Sequence, residues 1–311
     1  MKLAHLPVLH HEVIDGLQIK PDGRYIDGTY GRGGHARSIL AQLGENGRLL
    51  VMDRDPEAIA AAQSALGTDA RVTIIHDDYA NMRDQVSELD LLEQIDGILL
   101  DLGVSSPQLD DARRGFSFQK NGPLDMRMNP GSGLSAAQWL ARADEVEIAR
   151  VLWEYGEERH SRRIARKIVE IRSSRVIDDT ATLAKLISDM LPRPKNNKHP
   201  ATKSFQAIRI HINQELTQIQ SLLESIFDML RLGGRLLVIS FHSLEDRLVK
   251  RFFKMQSSPP RIPRGLPLRD SEIQTNIRLH IVNKAIKAGA KEMAANPRAR
   301  SAVLRIAERA A

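Results

Sequence analysis

Four short apolar runs in the first third of the chain, each ending on an acid or a turn, constrain the fold more than any other feature. They are RYID to Asp27, RLLVMD to Asp53, VTIIHDD to Asp78 and GILLDLG to Gly103. Each is short, lacks helical spacing and is followed by a polar break, as in a strand buried on both faces. Between them lie helical patterns. HARSILAQLG stops at Gly44, and DPEAIAAAQSALG has Asp55 as N-cap, Pro56 at the first helical position and Gly67 at its end. Strand and helix alternate, so the expected fold is α/β, a mostly parallel Rossmann-like sheet with helices on its faces.

The rhythm breaks after Gly103. A loop rich in Gly, Pro, Ser and Asn leads into helical patterns: SAAQWLARADEVEIARVLWEYG, RHSRRIARKIVEIRSS and DTATLAKLISDML. The long pattern FQAIRIHINQELTQIQSLLESIFDML reads as one helix, and a strand returns only at GGRLLVISFHS, residues 233 to 243. Asp101 and Leu236 are 135 residues apart, where one crossover takes about 30. The spacing predicts an inserted, mostly helical domain over 112–207, splitting a sheet domain made of 1–111 and 208–311. LHIVNKAIK and RSAVLRIAER look like a closing pair of strands.

The stretch YIDGTYGRGGHA follows the first strand. Its glycines at 28, 31, 33 and 34 let backbone approach a ligand closely. No triplet among them has the G-x-G-x-x-G spacing of a dinucleotide site, which counts against a nicotinamide-dependent oxidoreductase. Asp27 closes the first strand. Asp53 closes the second, 20 residues after Gly33, where a carboxylate can accept both hydroxyls of a ribose. A nucleoside without a pyrophosphate fits these features, and S-adenosylmethionine suits them better than NAD. Asp77, Asp78 and Tyr79 end the third strand where an adenine would be met, and Asp101 ends the fourth beside the reactive end.

Composition narrows the context. The chain has 311 residues, 42% of them hydrophobic, and no cysteine, so disulfides, thiolate metal sites and cysteine nucleophiles drop out. No stretch approaches the roughly 20 apolar residues of a membrane span, and residues 1–17 have no apolar run long enough for a signal peptide, so none is expected. A cytoplasmic protein is expected, with no membrane contact. The net charge is +6, with basic clusters at 158–175, 193–211 and 261–269, which point to a polyanion such as nucleic acid. A solvated helix face with Glu–Arg pairs is the alternative for each cluster. His10, His11 and His35 lack the spacing of metal ligands, so no metal is expected.

The strings GTYGRGGHA, VMDRDPEAI, DGILLDLGVSSPQLDDARRGFSF, GPLDMRM, GEER, HPATKSFQAIRIHIN, GGRLLVISFHSLEDRLVKRFF and NPRARSAVLRIAER together closely resemble the RsmH (MraW) family of bacterial 16S rRNA cytosine-N4 methyltransferases. The likeness runs almost end to end. It implies a class I methyltransferase fold with a helical insert and S-adenosyl-L-methionine as cofactor. The implied target is the exocyclic amine of a cytidine in the decoding region of small-subunit rRNA. By motif position the family's cofactor contacts fall on Gly33, Gly34, His35, Asp53, Tyr79, Asp101 and Gln108.

Many amino-methyltransferases carry an acidic or amide residue, two prolines and an aromatic after the fourth strand. This chain has Asp101-Leu-Gly-Val-Ser-Ser-Pro, which leaves the aromatic that would stack on the target base unassigned and counts against a DNA cytosine enzyme. Asp101 is the first candidate for contact with the amine. Ser105, Ser106 and His242 are further catalytic candidates. For His242, a structural role bonding neighbouring backbone is the alternative. Glu245 and Asp246 read equally as acids opening the next helix. For RNA phosphates the candidates are Arg162, Arg163, Arg166, Lys167, Lys198, Lys203, Arg298 and Arg300. The expected partner is 16S rRNA in the assembled small subunit, and a homodimer stays open. So does a non-catalytic RNA-binding module that keeps a cofactor pocket.

Overall fold

A computed structural model describes residues 7–191, 199–259 and 277–311. Lys198 and the whole Arg-rich stretch 261–269 lie outside the described residues. The chain divides into two units, one formed by Met1–Gly103 with Leu216–Ala311 and the other by Val104–Glu215.

The first unit is built on an eight-stranded sheet. Its strands are β1 (Arg24–Asp27), β2 (Arg48–Asp53), β3 (Val72–His76), β4 (Ile95–Asp101), β5 (Leu230–Ser240), β6 (Leu279–Ile281), β7 (Ile286–Lys287) and β8 (Val303–Arg309). The order is β3-β2-β1-β4-β5-β8-β6, with β7 also on β8. The first five strands run parallel, and β8 is antiparallel to β5, β6 and β7. This is a mostly parallel Rossmann-like sheet, as expected, and the two closing segments do pair. All four acid-terminated runs are strands, though the third stops at His76 and Asp77 and Asp78 fall in the turn beyond it.

Burial explains why the runs of β1, β2 and β4 need no alternation, whereas β3, expected to be buried, lies at the sheet edge and is only partly covered. Ile98, Leu99 and Leu100 of β4 are all fully buried, but they feed two cores. Leu99 packs with Leu49, Val51 and Leu237 on one face, and Ile98 and Leu100 with Ile26, Leu50 and Val238 on the other. A strand buried on both faces is apolar throughout. Helices α1 (His10–Leu17), α2 (Gly34–Leu40), α3 (Pro56–Leu66) and α4 (Met82–Glu88) precede or separate the first strands. Asp55 caps α3 by accepting from Glu57 N–H, with Pro56 in the first turn, as its sequence predicts. No helix among the described residues is long and apolar enough to cross a membrane.

The second unit is helical: α5 (Ser106–Asp110), α6 (Ala136–Arg142), α7 (Glu145–Gly156), α8 (Ser161–Arg172), α9 (Thr180–Met190) and α10 (Thr202–Ile212). Two expected long helices are each broken in two. The first stops at Ala143, where Asp144 turns extended and caps α7 by accepting from Glu147 N–H. The second breaks at Asn213 and Gln214, ahead of α11 (Glu215–Met229). Gln214 has a φ of 51°. The Asn213 amide accepts from Met128 N–H and donates to the carbonyls of Met126 and Arg209. A side chain spent on fixing a loop in this way competes with helical continuation. Chain returning through β5 leads to α12 (Ser243–Gln256), and α13 (Ala290–Ala295) lies between β7 and β8.

Candidate active site

The carboxyl ends of β1, β2 and β4 bring three acids together, and the glycine-rich turn ties them. Gly28 N–H donates to Leu99 O, and a Cβ there would come within 2.6 Å of Met82 and 2.8 Å of Leu100. Thr29 links the two central strands. Its N–H donates to Asp27 Oδ1 at 3.2 Å and its Oγ1 accepts from Asp101 N–H at 2.6 Å. Gly31 N–H donates to Asp53 Oδ2 at 2.8 Å, and Asp55 N–H to Asp53 Oδ1 at 2.9 Å. Gly33 has a φ of +68° and caps α2, and a Cβ on it would strike the Tyr30 ring at 2.5 Å. Only glycine meets both demands without strain.

These carboxyls do not behave as surface acids. Burial pushes Asp27 up to about 7 and the nearby Asp53 adds to it, while the N–H groups of Thr29 and Ala36 pull the other way. Burial raises Asp53 to about 6, against the N–H groups of Asp55 and Gly31. Asp101 rises furthest, to about 8, first through burial and then through Asp27 and Glu245. Its side chain still keeps 26% of its surface open, and its Oδ1 has no hydrogen-bond partner. Desolvation and like charge act in one direction here.

His35 is buried at the start of α2, with Nε2 3.9 Å from Asp101 Oδ2 and its ring stacked on His10 at 6.1 Å. Burial, then His10, lower it to about 3, so it is neutral at physiological pH. Gly34 opens the same helix, and a Cβ on it would press on Pro7 at 3.0 Å. Tyr79 begins a short 3-10 turn after β3 and is half-buried beside the core. Asp77 accepts from Asp78 N–H and from Asn81, and Asp78 pairs with Arg54 at 2.8 Å.

At the end of β5, His242 caps α12. Its Nδ1 accepts from Glu245 N–H, and the buried Glu245 accepts from the N–H groups of Phe241 and His242. The pair repeats the capping-box logic with histidine in the serine's place. Asp246 holds Arg305 of β8 through two hydrogen bonds of 2.7 and 3.0 Å. Gly33, Gly34, His35, Asp53 and Asp101 therefore gather around one turn of the first unit.

Ser105, Ser106 and Gln108 belong to the second unit. There Ser105 and Gln108 form the capping box of α5: Ser105 N–H donates to Gln108 Oε1 at 2.9 Å, and Gln108 is buried. Arg162, Arg163 and Arg166 are exposed on α8, with Arg166 3.5 Å from Glu145, while Lys167 pairs with Glu170 at 2.8 Å. Lys203 donates to Glu157 O. Arg298 and Arg300 sit on a short turn, Pro297–Ser301, of the first unit. Sequence reasoning missed Thr29 as the link between Asp27 and Asp101. A hydroxyl one residue past the strand-ending Asp-Gly was the available signal.

Known proteins decide the family. The model of the MraW methylase family matches residues 2–310. The chain belongs to that family. A relative from Xanthomonas euvesicatoria pv. vesicatoria, named ribosomal RNA small subunit methyltransferase H, is 57% identical and covers 98% of this chain and 89% of its own. One of the same name from Pseudoalteromonas atlantica is 55% identical, with 98% of both chains covered. A crystal structure of an rRNA methylase from Streptococcus thermophilus aligns over 99% of this chain and 100% of that one, with 12% identity and a TM-score of 0.43.

As a methylase the chain takes its methyl group from S-adenosyl-L-methionine. The residues present fit that cofactor, whose charge is a net positive one. Asp53 raises Asp27 and Asp27 raises Asp101 electrostatically, and Asp101 Oδ1 is unpartnered. A cation among them relieves the repulsion that a phosphate would worsen.

Proposed function

We propose that the chain methylates the exocyclic N4 amine of a cytidine in the decoding region of 16S rRNA, acting on the small ribosomal subunit. Family membership and the names of the relatives support methylation of small-subunit rRNA. The choice of base and position rests on the resemblance of the motifs. The observation that carries the reading is the ring of three raised carboxyls around a glycine turn, a site suited to a cationic nucleoside.

When bound, S-adenosylmethionine supplies an electrophilic methyl group carried on a sulfonium. The residues proposed to hold it are Gly33, Gly34, His35, Asp53, Tyr79 and Asp101, with Gln108 added from the second unit by the resemblance. Asp53 would take the ribose hydroxyls and Tyr79 the adenine face. A cytosine amine is a poor nucleophile because its lone pair is delocalised into the ring. Asp101 is proposed to accept a hydrogen bond from that amine, orienting it; much of the rate comes from such positioning. A carboxyl titrating near 8 can also hold the amine's proton after transfer. Ser105 and Ser106 are proposed as further contacts to the base. His242 is the remaining proton-acceptor candidate, beside its capping bonds to Glu245.

The helical unit is proposed to recognise the substrate, with Arg162, Arg163, Arg166, Lys167 and Lys203 meeting phosphates, joined by Lys198, Arg298 and Arg300. The target base must be unpaired or flipped out to be reached. The test uses labelled methyl donor and small subunits from a strain lacking this gene, with the rRNA digested to nucleosides. Label in N4-methylated cytidine, lost in Asp101→Ala, is the expected result. Label in another nucleoside, or none on subunits and naked rRNA alike, overturns the reading.

A further inference from the structure

The chain has two tryptophans, and their settings are opposite. Trp139 is 5% exposed and donates its Nε1–H to Glu147. Trp153 is 58% exposed, and Val146, two turns earlier on α7, is 78% exposed. Positions 146, 150 and 153 share one face of a helix, so Val146, Arg150 and Trp153 form a single outward stripe. The opposite face of α7, with Ile148, Val151 and Leu152, supplies the core. Trp153 therefore is no part of that core, and its ring, with Val146 on the same stripe, leaves an apolar surface open to a partner.

Neighbouring charge says what kind of partner. α7 and α8 are antiparallel: four residues join them, and Arg172 at the end of α8 donates to Leu140 O and Ala143 O just before α7. The Arg166–Glu145 pair crosses between the two helices, so the row Arg162 and Arg166 borders the α7 stripe. Arg159 is exposed in the joining turn. Residues 104–215 hold nineteen Lys or Arg against fourteen Asp or Glu, an excess of five out of the chain's +6. An exposed aromatic with Arg150 on its own stripe, paired there to Glu154, and with Arg162 and Arg166 along the neighbouring helix of the basic unit suits single-stranded nucleic acid, bases on the ring and phosphates on the cations.

We infer that Trp153 is a stacking platform for an unpaired base of the RNA substrate, with Arg159, Arg162 and Arg166 on the flanking phosphates. This rests on the reading of the chain as an rRNA methyltransferase. It adds a second contact that grips single-stranded RNA apart from the target base.

The test is tryptophan fluorescence of the full chain titrated with a ten-nucleotide single-stranded RNA at low salt. Quenching is expected in the wild type, and in anisotropy of the same RNA carrying a dye, which reads every variant, Trp153→Ala should weaken binding about 5- to 150-fold. Trp153→Phe should keep most of the affinity, since a ring remains. Donor binding, measured on the same variants, should not change. Unchanged RNA affinity in Trp153→Ala overturns the inference. So does loss of self-association in sedimentation by Trp153→Ala, which would give the stripe to a second copy of the chain. If no rRNA is methylated but Trp153→Ala still weakens RNA binding, the assigned reaction fails and the platform stands. If methylation occurs and Trp153→Ala leaves KM unchanged, the platform alone fails.

Discussion

Binding of S-adenosylmethionine should release protons, in a number set by the three raised carboxyls. Asp53 near 6, Asp27 near 7 and Asp101 near 8 together hold roughly one and a half protons at pH 7, Asp101 alone about 0.9 of a proton. A cation among them favours the ionised forms, so these protons leave on binding, and affinity rises with pH by up to about tenfold per unit per proton released. The free protein behaves in the opposite sense. A carboxyl raised above its unfolded value near 3.8 stabilises the fold fully below that pH, and the contribution falls away as pH rises from there through its folded value, about 6 to 8 for these three. Asp101→Asn stays neutral, so it should bind donor more weakly yet be the more thermostable protein at pH 8.5. The assay is titration calorimetry at pH 7 in phosphate and in Tris, whose ionisation heats differ. The ligand's own amino group contributes equally to both proteins, so the difference isolates Asp101. Wild type should release about one proton more than Asp101→Asn. Equal proton release by the two proteins, or a variant no more stable than wild type at pH 8.5, refutes the reasoning.

Three further changes follow from local geometry. Gly33→Ala forces a left-handed alanine against the Tyr30 ring, and should cost about 2–4 kcal/mol, read as a drop in Tm together with lost donor binding. Asp53→Ala leaves the N–H groups of Gly31 and Asp55 without their acceptor and removes the proposed ribose contact. Its Kd for donor should rise about 100-fold or more, with Asp53→Asn in between; an unchanged Kd would place the ribose elsewhere. Asn213→Ala strips three hydrogen bonds from the break between α10 and α11. It should destabilise the protein by about 2–4 kcal/mol, with hydrogen exchange quickening first around Met126 and Met128.

Much of the sheet was legible because a strand buried on both faces writes itself as an unbroken apolar run. RLLVMD and GILLD needed no partner to be recognised, and their final acids marked the crevice. Asp55-Pro56 likewise carries its meaning locally, in one cap and one fixed φ. The breaks at Ala143 and at Gln214 were not legible, because helical periodicity passes through them. Asp144 and Asn213 end those helices through bonds to Glu147 and to a loop 85 residues away, and the second of these is a tertiary choice. The acids at the site could be listed from sequence, but their elevation depends on burial and on distances between strand ends. Thr29 is silent in the sequence for the same reason: its acceptor role to Asp101 spans 72 residues. The exposure of Trp153 was equally hidden, since an apolar ring in an amphipathic pattern reads as core.

The central claim is that the turn carrying Gly33, with Asp53 and Asp101, is where the methyl donor sits. A crystal structure of the chain with S-adenosylmethionine tests it most directly. The account predicts ribose hydroxyls on Asp53, backbone of Gly33 to His35 against the ligand, and the sulfonium end beside Asp101. A donor bound away from the carboxyl ends of β1, β2 and β4, or one whose ribose leaves Asp53 untouched, would contradict it.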